Sequence, residues 1–274
     1  MSLAEVLSRS AREADETLRY GEGSEHVIEL WRPGNGPVTR TVVVVHGGFW
    51  AAEYDRTHIR PLCAELARQG YLTAALEYHR VGQPLGGWPG TFTDVADGLD
   101  ALPALTGGLV DGANTVLLGH SAGGHLALWA ASRHRLPPGS PCHGGEPLRV
   151  RGVVSLAGVC DLEAAYRLNL DDGAVRRLLG GGPAQVPDRY RDADPAGLLP
   201  LGARCVLLHG DEDDRVPFDI SRLYYHVAAG QGDDVTLERL DGMGHFELID
   251  PGAPAFRAVL GAIDAVFAPE WAAR

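Results

Sequence analysis

The segment that determines the expected fold is Thr-Val-Leu-Leu-Gly-His-Ser-Ala-Gly-Gly-His-Leu-Ala, residues 115–127. Thr115–Leu118 is apolar and partly β-branched, which favours a buried strand, and Ala122–Arg133 is rich in alanine and leucine, which favours a helix. The turn between them has the pattern Gly-x-Ser-x-Gly. A strand that turns this sharply into a helix presents the hydroxyl of Ser121 at the sheet edge, beside the N-terminal amides of the helix.

Strands and helices alternate on both sides of this segment. Apolar runs predict strands at residues 41–45, 71–78, 150–156, 205–208 and 235–240, and helical spacing predicts helices at 59–69, 92–105, 221–229 and 255–267. Such alternation implies βαβ crossovers and a mostly parallel sheet that helices cover on both faces. The predicted fold class is therefore α/β.

Three stretches lie outside this alternation. Helical spacing predicts a helix over residues 3–19, and alternating polarity predicts an edge strand over 26–31, followed by a turn at 33–37. Residues 161–200 contain short helical pieces at 174–179 and 188–190 but no predicted strand. We interpret them as a lid-like insertion within a single domain of residues 1–274.

Composition excludes several classes of function. The 274 residues carry a formal net charge of −12, which argues against nucleic acid or an anionic membrane as partner. All 24 basic residues are arginine, so a Schiff-base lysine, a Ser-Lys dyad and a phosphate-loop lysine are excluded. No apolar run reaches the ~18 residues of a membrane span, and residues 1–20 lack a secretory apolar core. We expect a soluble, cytoplasmic protein. A homodimer is compatible with the sequence.

No cofactor or metal ion is expected. The four cysteines form no Cys-x-x-C pair, and they are interpreted as free buried thiols rather than as two disulfides. The chain also lacks a dinucleotide fingerprint and the spacing of a calcium loop.

A glycine-rich segment, His46-Gly47-Gly48-Phe49-Trp50, follows the predicted strand at 41–45. Its backbone can direct N–H groups towards a developing oxyanion. We predict an oxyanion hole formed by the N–H groups of Gly48, Phe49 and Ala122, whereas the alternative is a tight exit turn without a ligand. Trp50 is treated as a wall of the substrate pocket.

A base and an acid are expected on later loops. His245 lies between glycines directly after the last predicted strand, so its loop can carry the imidazole back to Ser121. His120 is adjacent to the serine and cannot reach its hydroxyl usefully. A carboxylate from the loop after residue 208 can orient the base. Asp213 is preferred, and the other candidates are Asp214, Asp211 and Asp161.

With these motifs the chain resembles the α/β-hydrolase superfamily, and within it the kynurenine formamidase (arylformamidase) and carboxylesterase-like branch. The resemblance covers nearly the whole chain. It rests on Tyr20-Gly21, His46–Trp50, Gly119–Ala127, His209-Gly210, Asp213, Val216-Pro217 and Gly244–Phe246. In that family the acid lies four residues after the histidine of the His-Gly pair, which corresponds to Asp213.

The resemblance implies a serine hydrolase that cleaves a small-acyl ester or amide through Ser121, His245, Asp213 and an acyl-enzyme. The substrate alternatives are a short-acyl carboxylic ester, an aryl formamide such as N-formylkynurenine, and a peptide-like amide. An aromatic-lined leaving-group pocket is expected from Phe49, Trp50 and the 161–200 insertion. A catalytically idle binding module is the alternative of a different class.

Overall fold

An eight-stranded sheet runs through the computed structural model, which describes residues 3–34 and 37–269. The strands are β1 (Glu16–Arg19), β2 (Val27–Trp31), β3 (Thr41–Val45), β4 (Leu72–Leu76), β5 (Thr115–His120), β6 (Gly152–Leu156), β7 (Arg204–Gly210) and β8 (Val235–Leu240). Their spatial order is β1-β2-β4-β3-β5-β6-β7-β8. The β1/β2 and β2/β4 pairs are antiparallel and the other five are parallel, which confirms the predicted mostly parallel sheet.

Helices cover both faces of the sheet. Those of the described residues are α1 (Leu3–Leu7), α2 (Arg60–Arg68), α3 (Gly90–Leu105), α4 (Ala122–Ser132), α5 (Leu162–Arg167), α6 (Ala174–Leu179), α7 (Pro187–Ala193), α8 (Phe218–Gly230) and α9 (Phe256–Phe267). Val43 and Val45 share a core with α3, α4 and α8, whereas Val42 and Val44 pack with α2 and α9. Alternate residues of β3 therefore enter two separate cores, as expected for a strand buried on both sides.

The N-terminal predictions were wrong in two respects. The helix predicted over residues 3–19 is limited to α1, and residues 16–19 form β1 instead. Because β1 pairs along β2, β2 is an inner strand with all five residues buried, not the predicted edge strand. Tertiary pairing thus overrides local helical spacing here. Part of the predicted turn at 33–37, residues 35 and 36, lies outside the described residues.

The segment 161–200 holds α5, α6, α7 and a 3₁₀ turn at Leu170–Asp172, and none of its residues is in a strand. α6 coincides with the predicted piece at 174–179, and α7 extends the one at 188–190. α5 was not predicted from the sequence. Its signal was Asp161, whose side chain caps the helix by accepting a hydrogen bond from the Ala164 N–H at 2.7 Å.

Two glycine substitutions test how closely α4 packs on the sheet. A Cβ on Gly123 would lie 2.0 Å from the carbonyl oxygen of Val45, whereas a Cβ on Gly261 in α9 would meet nothing within 4 Å. We expect Gly123→Ala to lower the Tm by about 5–10 °C, because α4 must move away from β3. Gly261→Ala should leave the Tm unchanged or raise it slightly, through better helix propensity. Thermal unfolding measures both, and equal effects would contradict the packing described.

Candidate active site

The serine turn, residues 119–123, joins β5 to α4. Ser121 has φ +56° and ψ −120°, a backbone conformation that costs a side-chain-bearing residue about 1–3 kcal/mol. A Cβ on Gly119 would lie 2.1 Å from the carbonyl oxygen of Gly123, so neither this position nor Gly123 admits a side chain. The two glycines therefore explain why the turn can be this sharp, and the expected strand–turn–helix arrangement is present.

His245 contacts a single aspartate of the preceding acidic run. Its Nδ1 lies 2.7 Å from Oδ2 of Asp213, and the Asp213 side chain is fully buried. The other carboxylate oxygen, Oδ1, accepts hydrogen bonds at 2.8 Å from the backbone N–H groups of Arg215 and Val216. Burial alone would raise the pKa of Asp213, but hydrogen bonds from His209 and His245 and the charge of His245 hold it well below its usual value. The carboxylate is therefore ionised and fixed in orientation.

The other candidate acids lie elsewhere. Asp214 is largely exposed beside Arg215, and Asp211 pairs with Arg239 at 2.7 Å. Asp161 caps α5. Asp213 is thus the carboxylate among these that contacts His245.

His209, which belongs to the His209-Gly210 motif of the resemblance, contacts the loop that carries Asp213. Its Nε2 lies 2.8 Å from the Val216 carbonyl oxygen and 3.3 Å from Asp213 Oδ2, and its Nδ1 accepts a hydrogen bond from Ser221 Oγ at 2.8 Å. The ring therefore connects the end of β7 to the loop that carries Asp213. The sequence signal was the His-Gly pair ahead of that loop.

Ser121 and His245 line the same cavity at the carboxyl ends of β5 and β8, where open α/β sheets place their ligand sites. Among the described residues, no hydrogen bond joins the Ser121 hydroxyl to His245. Such contacts are often long in substrate-free enzymes and shorten once substrate binds.

The glycine loop, residues 46–50, lies beside the serine turn with Gly48, Phe49 and Trp50 all at positive φ. Within the described part of the chain, the N–H groups of Gly48 and Phe49 donate to no backbone carbonyl. Ala122 is the first residue of α4, so its N–H has no intrahelical acceptor. A Cβ on Gly48 would lie 2.3 Å from Cβ of Tyr54, so the loop can approach this closely only with glycine there.

A buried network of charged and hydrogen-bonded side chains supports the glycine loop. His46 is fully buried, with Nδ1 2.8 Å from the Gly47 carbonyl oxygen and Nε2 2.8 Å from Oε1 of Glu77. Burial would raise the pKa of Glu77, but the charge and hydrogen bond of His46, the charge of Arg80 and the Tyr78 N–H lower it to about 2. Glu77 is therefore an anion beneath the loop, and nothing in the sequence marked it as part of the site.

The cavity has a volume of about 160 Å³ and is lined by Gly48, Phe49, Tyr54, His58, His120, Ser121, Asp171, Arg215, His245 and Phe246. Asp171 comes from the 161–200 segment. Trp50 is not among the lining residues, contrary to its expected place in the pocket wall. Its side chain is buried in the core, where its ring packs edge-on against His125 with centroids 5.2 Å apart.

The described residues also place His26, His79 and Asp94 together, with one potential metal ligand from each. Asp94 bonds both imidazoles, at 3.1 Å from His26 Nε2 and 2.7 Å from His79 Nδ1. The Gly23 N–H donates to His26 Nδ1, so the proton of the neutral ring is on Nε2. Nε2 is the atom that would bind a metal ion, and a protonated nitrogen has no lone pair to do so. The geometry therefore fits a hydrogen-bonded network better than a metal centre.

All four cysteines are buried and free, as expected, and burial raises the pKa of each thiol. No helix within residues 3–34 and 37–269 has the length and apolar character needed to cross a bilayer.

Comparison with known proteins finds a matching family model and relatives that are named as esterases or as a formamidase. A model of the protein family BD-FAE matches residues 29–227. The probable carboxylic ester hydrolase LipM of Mycobacterium tuberculosis is 29% identical over 221 residues, which cover 76% of this chain and 50% of LipM. The kynurenine formamidase of Drosophila melanogaster is 24% identical, with 86% of this chain and 76% of that protein covered. The chain spans about half the length of LipM and of esterase LipQ from the same organism.

Solved structures resemble the whole molecule. A truncated carbohydrate esterase from gut microbiota has a TM-score of 0.79 at 18% identity, over 93% of this chain and 99% of that chain. An esterase of Thermogutta terrifontis with propionate bound has a TM-score of 0.72 at 21% identity, over 91% and 92%. At such identities the likeness shows the fold alone. It confirms the predicted α/β-hydrolase fold, and the related sequences confirm the carboxylesterase-like branch.

Acid unfolding tests the network under the glycine loop. The pKa of Glu77 is about 2 in the folded chain against an ordinary 4.5, so its stabilisation, on the order of 3 kcal/mol, is present above pH 4.5 and is lost as the pH falls towards 2. Glu77→Gln should lower the Tm at pH 7 by about 10 °C, since His46 loses its buried counter-charge and, among the described residues, Arg80 keeps only Glu25 as a partner carboxylate. Its Tm should then fall less than that of the wild type between pH 5 and 3.

The control is Glu163→Gln, which removes an exposed carboxylate that pairs with Arg167 on the helix surface. Its Tm should stay within about 1–2 °C of the wild type at every pH. If Glu77→Gln behaved the same way, the carboxylate of Glu77 would not stabilise the fold.

Proposed function

The chain belongs to the BD-FAE family, and from this premise we propose that it is a serine hydrolase that cleaves esters of small acyl groups. Ser121 is the nucleophile, His245 the general base and Asp213 the acid that orients the base. The observation that carries the proposal is the 2.7 Å contact between His245 Nδ1 and buried Asp213, with His245 and Ser121 lining one cavity. Relatives named as esterases support the same reaction.

The first half-reaction forms an acyl-enzyme. His245 accepts the hydroxyl proton of Ser121 at Nε2 while Oγ adds to the ester carbonyl carbon. Asp213 keeps the other proton on Nδ1 and stabilises the imidazolium that forms. The tetrahedral intermediate then expels the alcohol oxygen, which takes the proton from His245 as the carbon–oxygen bond breaks.

The oxyanion binds at the meeting point of the glycine loop and the serine turn. The N–H groups of Gly48, Phe49 and Ala122 are the proposed donors. Within the described residues, those of Gly48 and Phe49 donate to no backbone carbonyl, and that of Ala122 has no intrahelical acceptor. The start of α4 adds the positive end of its dipole. Loss of one such donor typically costs about 2.7–4 kcal/mol of transition-state stabilisation.

The second half-reaction releases the acid. Water loses a proton to His245 and adds to the acyl carbonyl carbon, and the collapse of this intermediate returns the proton to Ser121 Oγ. The enzyme is regenerated without a cofactor, and one ester plus one water gives one acid plus one alcohol.

The cavity limits the size of the acyl group. Its volume of about 160 Å³ is close to the ~150 Å³ of an engineered cavity that holds benzene. Acetate, propionate and butyrate fit within that volume. We therefore propose short-acyl esters as the substrate class.

An aryl formamide is the second candidate substrate. Its formyl group is the smallest acyl group, and Phe49, Tyr54 and Phe246 place aromatic rings around the cavity. The similarity to the Drosophila kynurenine formamidase supports the same class. We also propose that the chain forms a single domain and that residues 161–200 act as a lid. Asp171 of this segment lines the cavity.

Turnover by the wild type and by Ser121→Ala tests the proposed function. We expect hydrolysis of p-nitrophenyl acetate and butyrate to exceed that of the dodecanoate, and Ser121→Ala to lose at least about 10³-fold in kcat/KM. A fluorophosphonate probe should label the wild type and not the variant. N-formylkynurenine measured alongside separates esterase from formamidase. No labelling, together with activity equal to that of Ser121→Ala, would favour an idle binding module instead.

Neighbouring aspartates provide a matched test of the acid. Asp213→Asn should lower kcat by about 10³–10⁴-fold with little change in KM, because an amide favours the wrong tautomer of His245. Asp214→Asn removes the same charge one residue away on an exposed side chain, so kcat should stay within about 2-fold. Similar losses in the two variants would assign the effect to loop charge and contradict the proposed role of Asp213.

A further inference from the structure

We propose that His120 is a positioning residue that fixes the backbone of His245 relative to Ser121. This inference rests on the proposed function, because it concerns the alignment of the same nucleophile and base. His120 does not exchange a proton with substrate. Its neutral imidazole acts through one hydrogen bond to the main chain of the base.

The ring of His120 reaches from the serine turn to the histidine loop, residues 242–246. Its Nε2 lies 3.0 Å from the carbonyl oxygen of His245, and the two ring centroids are 4.5 Å apart. A carbonyl oxygen only accepts, so the proton of the neutral ring is on Nε2 and Nε2–H is the donor. Since His120 precedes Ser121 directly, the bond ties the base to the residue next to the nucleophile.

Burial keeps this imidazole neutral. The side chain is buried and lines the cavity. Burial, followed by the charge of His245, lowers the pKa of His120 well below its usual value. A second cation here would repel the imidazolium that forms on His245 during each half-reaction. A neutral donor positions the loop without that penalty.

Two other hydrogen bonds, both donated by backbone N–H groups, connect the histidine loop to the acid loop, residues 211–217. The Glu212 N–H donates to the Met243 carbonyl at 3.0 Å, and the Gly242 N–H donates to Asp211 Oδ1 at 2.7 Å. Both partners, Asp211 and Glu212, directly follow the end of β7. In the described part of the chain, the hydrogen bond that joins the histidine loop to the serine turn is the one from His120.

Glutamine and asparagine at position 120 separate this role from general packing. The amide nitrogen of Gln can occupy the position of Nε2 and donate to the His245 carbonyl, whereas that of Asn falls short. We expect His120→Asn to lose about 10–100-fold in kcat with KM changed less than 2-fold, the scale expected for an ångström of misplacement. His120→Gln should recover kcat to within about 5-fold of the wild type.

His125 is the matched control. It is also fully buried, its Nε2 donates to the Ala193 carbonyl at 2.9 Å, and it is absent from the cavity lining. His125→Asn and His125→Gln should lower the Tm about as much as the changes at 120, while kcat per folded molecule stays within 2-fold. Circular dichroism and active-site titration give the folded fraction.

The outcomes are distinguishable. Equal kcat for His120→Asn and His120→Gln, wild-type kcat for His120→Asn, or the same kcat loss at His125 would each overturn the positioning role. In all three cases the proposed function stands if Ser121→Ala is inactive. If Ser121→Ala keeps full activity, the proposed function itself fails, whatever the variants at position 120 show.

Discussion

The site depends on direct backbone-to-backbone contact between the serine turn and the glycine loop. A Cβ on Gly123 would meet the Val45 carbonyl at 2.0 Å, and a Cβ on Gly47 would meet the His120 carbonyl at 2.8 Å. No side chain fits between these two segments. Because interiors are close-packed, the approach of α4 to β3 fixes the distance between the serine hydroxyl and the N–H groups of the glycine loop.

A second constraint is the charge buried around that contact. Glu77 and Asp213 are fully buried carboxylates, and each is satisfied by backbone N–H groups and by an imidazole. Burying an ion is costly unless such partners are present, so the charges also fix the loops that supply them. Three further histidines, 46, 120 and 209, lie around the site, and each hydrogen-bonds a backbone carbonyl of one of its loops.

The sequence predicted the parts of the site that are local in the chain. The glycines of the serine turn, the glycine loop and the loop of His245 were all found from their spacing beside predicted strands. Glu77 could not be found in this way, because its role comes from β4 lying next to β3 in the sheet. Trp50 was expected in the pocket wall because it follows Phe49 in the chain. Its side chain is instead buried in the core, and its position in the chain does not show this. The N-terminal helix was overextended because the pairing of β1 with β2 is a tertiary interaction.

The sequence by itself determined the α/β class, the strand–turn–helix around Ser121 and the order of serine, acid and histidine along the chain, since these depend on hydrophobic periodicity and on glycine spacing. The resemblance favoured Asp213, but only the tertiary structure showed that its carboxylate, and not that of Asp214, faces His245, because the two residues are neighbours of identical chemistry. The tertiary structure also decided the size of the cavity and the partners of His120 and Glu77. These depend on contacts between segments that are up to 125 residues apart, which no local pattern records.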